Sequence, residues 1–106
     1  MTSPQQPFHR IFISHSQKDN NFGVKLADDL RRLLGDDSAV WFDASGLLYG
    51  GETWWRKIIE EIAARNIFIV ILSPDSITSP WVNDEIDLAW AQKNSVLRKL
   101  IIPVLY

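Results

Sequence analysis

Ile67-Phe68-Ile69-Val70-Ile71-Leu72 is apolar at every position and stops at Ser73-Pro74. A strand that alternates apolar and polar residues can leave one face in water. A strand with no polar residue must be covered on both faces, as in the middle of a parallel sheet flanked by helices. The segments around it supply the rest of such a sheet. His9-Arg10-Ile11-Phe12-Ile13-Ser14 and Ala39-Val40-Trp41-Phe42 read as strands, and so does Leu100-Ile101-Ile102-Pro103-Val104-Leu105-Tyr106. Pro103 cannot donate to a ladder, which places that last strand near an edge. Between the strands the period changes to that of a helix. Phe22, Leu26, Leu30, Leu33 and Leu34 form one face, closed by Gly35 as a C-cap. Trp55, Ile58, Ile59 and Ile62 form a second. Ser16-Gln17-Lys18-Asp19 reads as a capping box before the first helix. Ser73-Pro74-Asp75-Ser76 reads as a turn. Ser79-Pro80 supplies N-cap and N1 for a third helix. The order βαβαβαβ predicts an α/β fold: a parallel sheet with helices on both faces.

With 106 residues the chain is one domain with a modest core. Residues 1–8 read as a disordered lead or linker, and residues 9–106 as the domain. The chain ends on an apolar strand, which is read as a domain incomplete at its C-terminus. A net charge of −2 without a basic block argues against a nucleic-acid surface. There is no cysteine, which excludes disulfides and thiolate metal sites and favours a reducing, cytoplasmic setting. His9 and His15 are the only histidines, so no metal site is expected. No apolar run reaches membrane-spanning length, so no membrane partner is expected.

One carboxylate is misplaced. On a wheel of about 100° per residue, Trp81, Val82, Ile86, Leu88 and Ala89 share an apolar arc. Glu85 falls inside it, four residues after Trp81, whereas Asn83, Asp84 and Asp87 point away. An inward acid costs stability unless it is paired, protonated or lining a cleft. Glu85 also lies six positions past the N-cap Ser79, beyond the reach of the helix dipole. In open α/β sheets ligands bind outside the carboxyl ends of the strands. Those ends here are Ser14-His15-Ser16, Asp43-Ala44-Ser45 and Ser73-Pro74.

No G-x-G-x-x-G, Walker A or G-x-S-x-G motif is present. Taken residue by residue, Glu85 and Asp43 fit structural and functional roles equally. Trp81 reads as core, His15 as a polar strand end, and Ser14 and Ser16 as turn and cap residues. Leu47, Leu48 and Tyr49 lie on a loop bracketed by Gly46 and Gly50-Gly51. They suit a partner surface or a fold-back onto the core. Trp54 lies off the Trp55–Ile59 face and suits an interface or a partly buried flank.

The ordered set of motifs resembles a Toll/interleukin-1 receptor (TIR) domain of the bacterial type, over nearly the whole chain from His9. Ile11-Phe12-Ile13-Ser14-His15-Ser16 with Lys18-Asp19 resembles the family's first box. Val40-Trp41-Phe42-Asp43 with Gly46, Leu47 and Gly50 resembles the second strand and BB loop. Ile71-Leu72-Ser73, Ser79-Pro80-Trp81 and Glu85 resemble the third strand and the helix after it.

The resemblance implies a flavodoxin-like sheet of five strands, four of them present. It implies one of two activities. The first is a glycohydrolase that cleaves NAD⁺ to nicotinamide and ADP-ribose or a cyclic isomer, activated by self-assembly in a signalling or defence protein. The second is a non-enzymatic scaffold that binds other TIR domains. NAD⁺ is then substrate rather than cofactor, and other copies of the domain are partners. Glu85 takes the position of the family's essential glutamate. For an enzyme, Ser14, His15, Asp43, Ser45, Leu47 and Trp81 are the expected substrate-binding residues, with Leu48, Tyr49 and Trp54 at an interface. A receiver domain, the other flavodoxin-like reading, needs an acidic pair after the first strand. Ser14-His15 does not supply one.

Overall fold

The computed structural model describes residues 10–42, 52–92 and 99–106, without the side chains of 52–55. The chain runs β1 (Ile11–Ser14), α1 (Asn20–Leu34), β2 (Val40–Trp41), α2 (Glu52–Ala64), β3 (Ile67–Leu72), α3 (Pro74–Ile77), α4 (Pro80–Ala91) and β4 (Leu100–Leu105). The strands form one sheet in the order β2-β1-β3-β4, and every pairing is parallel. This is the strand order of the flavodoxin-like fold. The connections leave β1 on one side and return to β3 on the other, so the carboxyl end of these two neighbours is the topological switch point.

Strand parity divides the core into two layers. Ile11, Ile13, Val40, Ile69 and Ile71 face α1 through Ala27, Phe22, Leu26 and Leu30. Phe12, Phe68 and Val70 face α2 and α4 through Ile58, Ile62, Val82 and Ala89. Phe12 stacks between Phe68 at 5.6 Å and Trp41 at 6.4 Å. The continuous apolar run of β3 is explained, since it contributes to both layers.

Most expected elements form, with local differences. Gly35 ends α1 in the left-handed region at φ 69°, its N–H bonded to the Arg31 carbonyl. Leu33 was expected on the α1 core face but is 82% exposed. It precedes Leu34 by one residue, and that rotates it about 100° off the Leu26–Leu30–Leu34 row. Ser16 does cap, but it caps a 3₁₀ turn over Gln17–Asp19 by accepting from the Lys18 N–H. Asp19 does not complete a capping box there. Its buried carboxylate accepts from the Ser73 hydroxyl instead. The expected turn at Ser73-Pro74-Asp75-Ser76 is the start of α3, where Ser73 and Ser76 form a reciprocal capping box. Ser79 and Pro80 start α4 as expected. β4 pairs with β3 alone among the described residues, and Pro103 is exposed there.

Gly23 carries a constraint that periodicity does not reveal. A Cβ there would lie 2.4 Å from the Phe42 ring, which itself stacks on His15 at 4.3 Å. Alanine adds about 1 kcal/mol of helix propensity. Overpacking against a ring held on its other side costs roughly 1–3 kcal/mol. Gly23→Ala should therefore lower stability by about 1 kcal/mol, read as an earlier urea midpoint at unchanged slope.

At the opposite end of the sheet, charged groups close the base. Lys99 is buried and donates to the Ile62 and Arg65 carbonyls, capping the C-terminus of α2 with a cation. Burial lowers its pKa. Glu61 accepts from Arg65 and pairs with Lys57 at 2.9 Å. Desolvation pushes the Glu61 pKa up, but the bonds from Lys57 and Arg65 together hold it below 4.5. A carboxylate depressed by folding contributes stability above its unfolded pKa, and that stability is lost as pH falls through the folded value. Stability should therefore decline below pH 4.5. Glu61→Gln should flatten that decline in denaturation curves taken across the acid range.

Candidate active site

The site is built where β1 ends and α4 begins. β1 delivers Ser14, His15 and Ser16 in succession at the switch point, and all three are buried. α4 starts at Ser79, whose hydroxyl accepts from the Val82 N–H. One and a half turns later Glu85 faces back toward β1. It is 3% exposed, and its Oε1 accepts from the Ser14 hydroxyl at 2.7 Å. This contact joins residues 71 apart in sequence. The inward acid is therefore a real feature of the folded chain, and a donor at a strand end answers it.

In front of Glu85 lies a recess of about 40 Å³. Its apolar lining includes Phe12, Trp41, Ile58 and Trp81, and its polar lining is His15, Ser16, Gln17, Ser79 and Glu85. That volume admits a few water-sized groups, such as the hydroxyls of a sugar edge, and not a whole nucleotide. Among the described residues Glu85 is the one carboxylate in the lining, and no lysine or arginine lines it. The contacts that orient His15 include Nε2 to the Asn20 Oδ1 at 2.7 Å and its ring on Phe42 at 4.3 Å. Among the described residues no cluster of three or more His, Asp or Glu forms a metal site.

The expected site residues separate into three groups. His15, Trp81 and Glu85 come together in the lining. Ser14 is 1% exposed and bonded to Glu85, and it is not among the residues of the lining. Asp43, Ser45, Leu47, Leu48 and Tyr49 lie outside the described residues, as does the side chain of Trp54. Sequence reasoning missed Phe12, Ile13, Gln17, Trp41, Ile58 and Ser79, and it read Ser16 only as a turn and cap residue. Trp41 was legible in principle: it has opposite parity to Val40 and Phe42, which places it on the Phe12 face. Ile58 and Gln17 carry no such signal, because only the packing of α2 and the 3₁₀ turn against β1 brings them in.

A model of the TIR domain family matches residues 11–106. The chain belongs to the TIR domain family. The TIR domain is 29% identical over 99 residues to the 2' cyclic ADP-D-ribose synthase AbTIR of Acinetobacter baumannii (strain 1295743). That match covers 93% of this chain and 35% of the relative, so the TIR domain spans about a third of the relative's length. Among solved structures it is similar to the TIR domain of the Toll-related receptor TRR-2 from Hydra magnipapillata, with a TM-score of 0.68. That match covers 92% of this chain and 70% of the other at 17% identity, a likeness of fold. No helix among the described residues of the TIR domain is long and apolar enough to cross a membrane.

Proposed function

We propose that this TIR domain cleaves the bond between nicotinamide and ribose in NAD⁺. The observation that carries the reading is Glu85, a buried carboxylate that lines a recess at the switch point. Similarity to a cyclic ADP-ribose synthase supports the substrate class. In the reaction the bond from ribose C1' to the pyridinium nitrogen breaks, and its electron pair goes to nitrogen. Nicotinamide leaves neutral, so no proton donor is required. Positive charge develops on C1' and the ring oxygen. A fixed carboxylate in a partly dry recess stabilises that charge more than water does, because it needs no reorganisation as the charge appears. Glu85 has that role, and it also accepts from ribose hydroxyls. Trp81 and Trp41 give the recess apolar walls. Water attacking C1' yields ADP-ribose and a proton. A hydroxyl of the same ADP-ribose attacking there yields a cyclic isomer and likewise a proton.

The test is nicotinamide release from NAD⁺ by the purified chain across a range of protein concentrations. Release that rises more than in proportion to protein would show that assembly activates the site. Absence of release from a folded sample at every concentration would reject the enzymatic reading and leave the TIR domain as a homotypic scaffold.

A further inference from the structure

We propose that Ser14 is a positioning residue for Glu85, holding the carboxylate toward the recess without touching substrate. The proposal rests on the reading of Glu85 given above. Ser14 is the last residue of β1, and its backbone is fixed by pairing with Val70 in the middle of the sheet. Its parity is that of Phe12, so its side chain faces the α2–α4 layer and meets Glu85 there. An ionised carboxylate only accepts, so the serine hydroxyl donates. A glutamate has three side-chain torsions to restrain, and a charge-assisted bond from a rigid strand end removes that freedom.

Alanine at this place would leave Glu85 buried without this donor. Valine would add an apolar surface against the charge, which is costlier still. Ser14 is 1% exposed and is not among the residues lining the recess, and its hydroxyl is bonded to Glu85. Its loss should appear in the step where Glu85 acts and not in substrate binding.

The experiment measures nicotinamide release from NAD⁺ by the full chain and by Ser14→Ala, Ser14→Thr and Ser14→Val. Ser76→Ala serves as a control, because Ser76 is a fully buried serine bonded within the Ser73 cap, away from the recess. We expect Ser14→Ala to lower kcat by about tenfold or more, with KM unchanged within about twofold. Threonine should restore kcat and valine should not; the two are nearly equal in volume and differ in the hydroxyl. Ser76→Ala should leave kcat as it is. If Ser14→Ala fails to fold, the Thr/Val pair decides.

An unchanged kcat in Ser14→Ala overturns the proposal. So does a rise in KM at constant kcat, which would put Ser14 on the substrate. Equal activity of the Thr and Val variants overturns it too. A wild-type chain that releases no nicotinamide removes the Glu85 reading and this role together. Wild-type turnover that is indifferent to Ser14 removes this role alone.

Discussion

Replacing Glu85 by glutamine should lower nicotinamide release from NAD⁺ by at least about 10²-fold while the domain stays folded. The size follows from the change made. Glutamine keeps the shape and an acceptor for the Ser14 hydroxyl, so the bond seen at 2.7 Å survives. Only the charge is removed, and one preorganised electrostatic contact to a developing charge is worth about 10²–10³ in rate. The near-isosteric change should leave the domain folded, since the packing around the side chain is kept. Glu85→Asp should also lose most of its rate. The carboxylate is withdrawn by about one methylene, and a displacement of roughly 1 Å can cost 10²-fold. Steady-state rates beside thermal melts of the same samples separate catalysis from folding. Full turnover by folded Glu85→Gln would remove this residue from the chemistry.

The largest loss of stability should come from the other end of the sheet. Arg65 follows α2, and its guanidinium is buried. It donates to the Ala39 carbonyl at 3.1 Å and, more weakly, to the carbonyls of Ile11 and Ser38. It also meets the Glu61 carboxylate at 3.1 Å. One side chain thus ties α2 to the start of β1 and to the turn that enters β2. Burial lowers its pKa more than Glu61 raises it, yet a guanidinium remains charged throughout the working range. Arg65→Ala takes a donor from backbone carbonyls in the interior and removes one of the two cations paired with Glu61, leaving Lys57. Losing one member of a buried pair costs about 3–5 kcal/mol. We expect a loss of about 4 kcal/mol, a large part of the stability of a domain this size. Lysine keeps the charge but not the fork, so Arg65→Lys should recover less than half. Urea denaturation followed by tryptophan fluorescence reads both. A loss below about 1 kcal/mol for Arg65→Ala would mean that the base of the sheet is held by its apolar layers alone.

The fold and the key acid were both readable from one dimension of information. An apolar run such as Ile67–Leu72 can be satisfied only by cover on two faces. Helical spacing around it then leaves a doubly covered parallel sheet as the architecture. Glu85 stood out for the same reason, since periodicity says which way a side chain points before anything is known of what it meets. The resemblance to TIR domains rested on the same residues, in order and at their spacings.

Partners across the fold were not readable. Nothing near Ser14 indicates that its hydroxyl serves an acid 71 positions away. Nor does anything near Asp19 indicate that it leaves its own turn to meet Ser73. The pairing of Gly23 with Phe42, and the reach of Arg65 to Ala39, are likewise settled by how the layers come together. Periodicity is a local property, because it follows from rise and rotation per residue. A hydrogen bond between a strand end and a distant helix depends on strand order and register, which the packing of the whole sheet decides. The sequence by itself therefore determined the sheet, its covering helices and an acid that faces inward. The tertiary structure alone decided what that acid meets, and that is the part from which its chemistry follows.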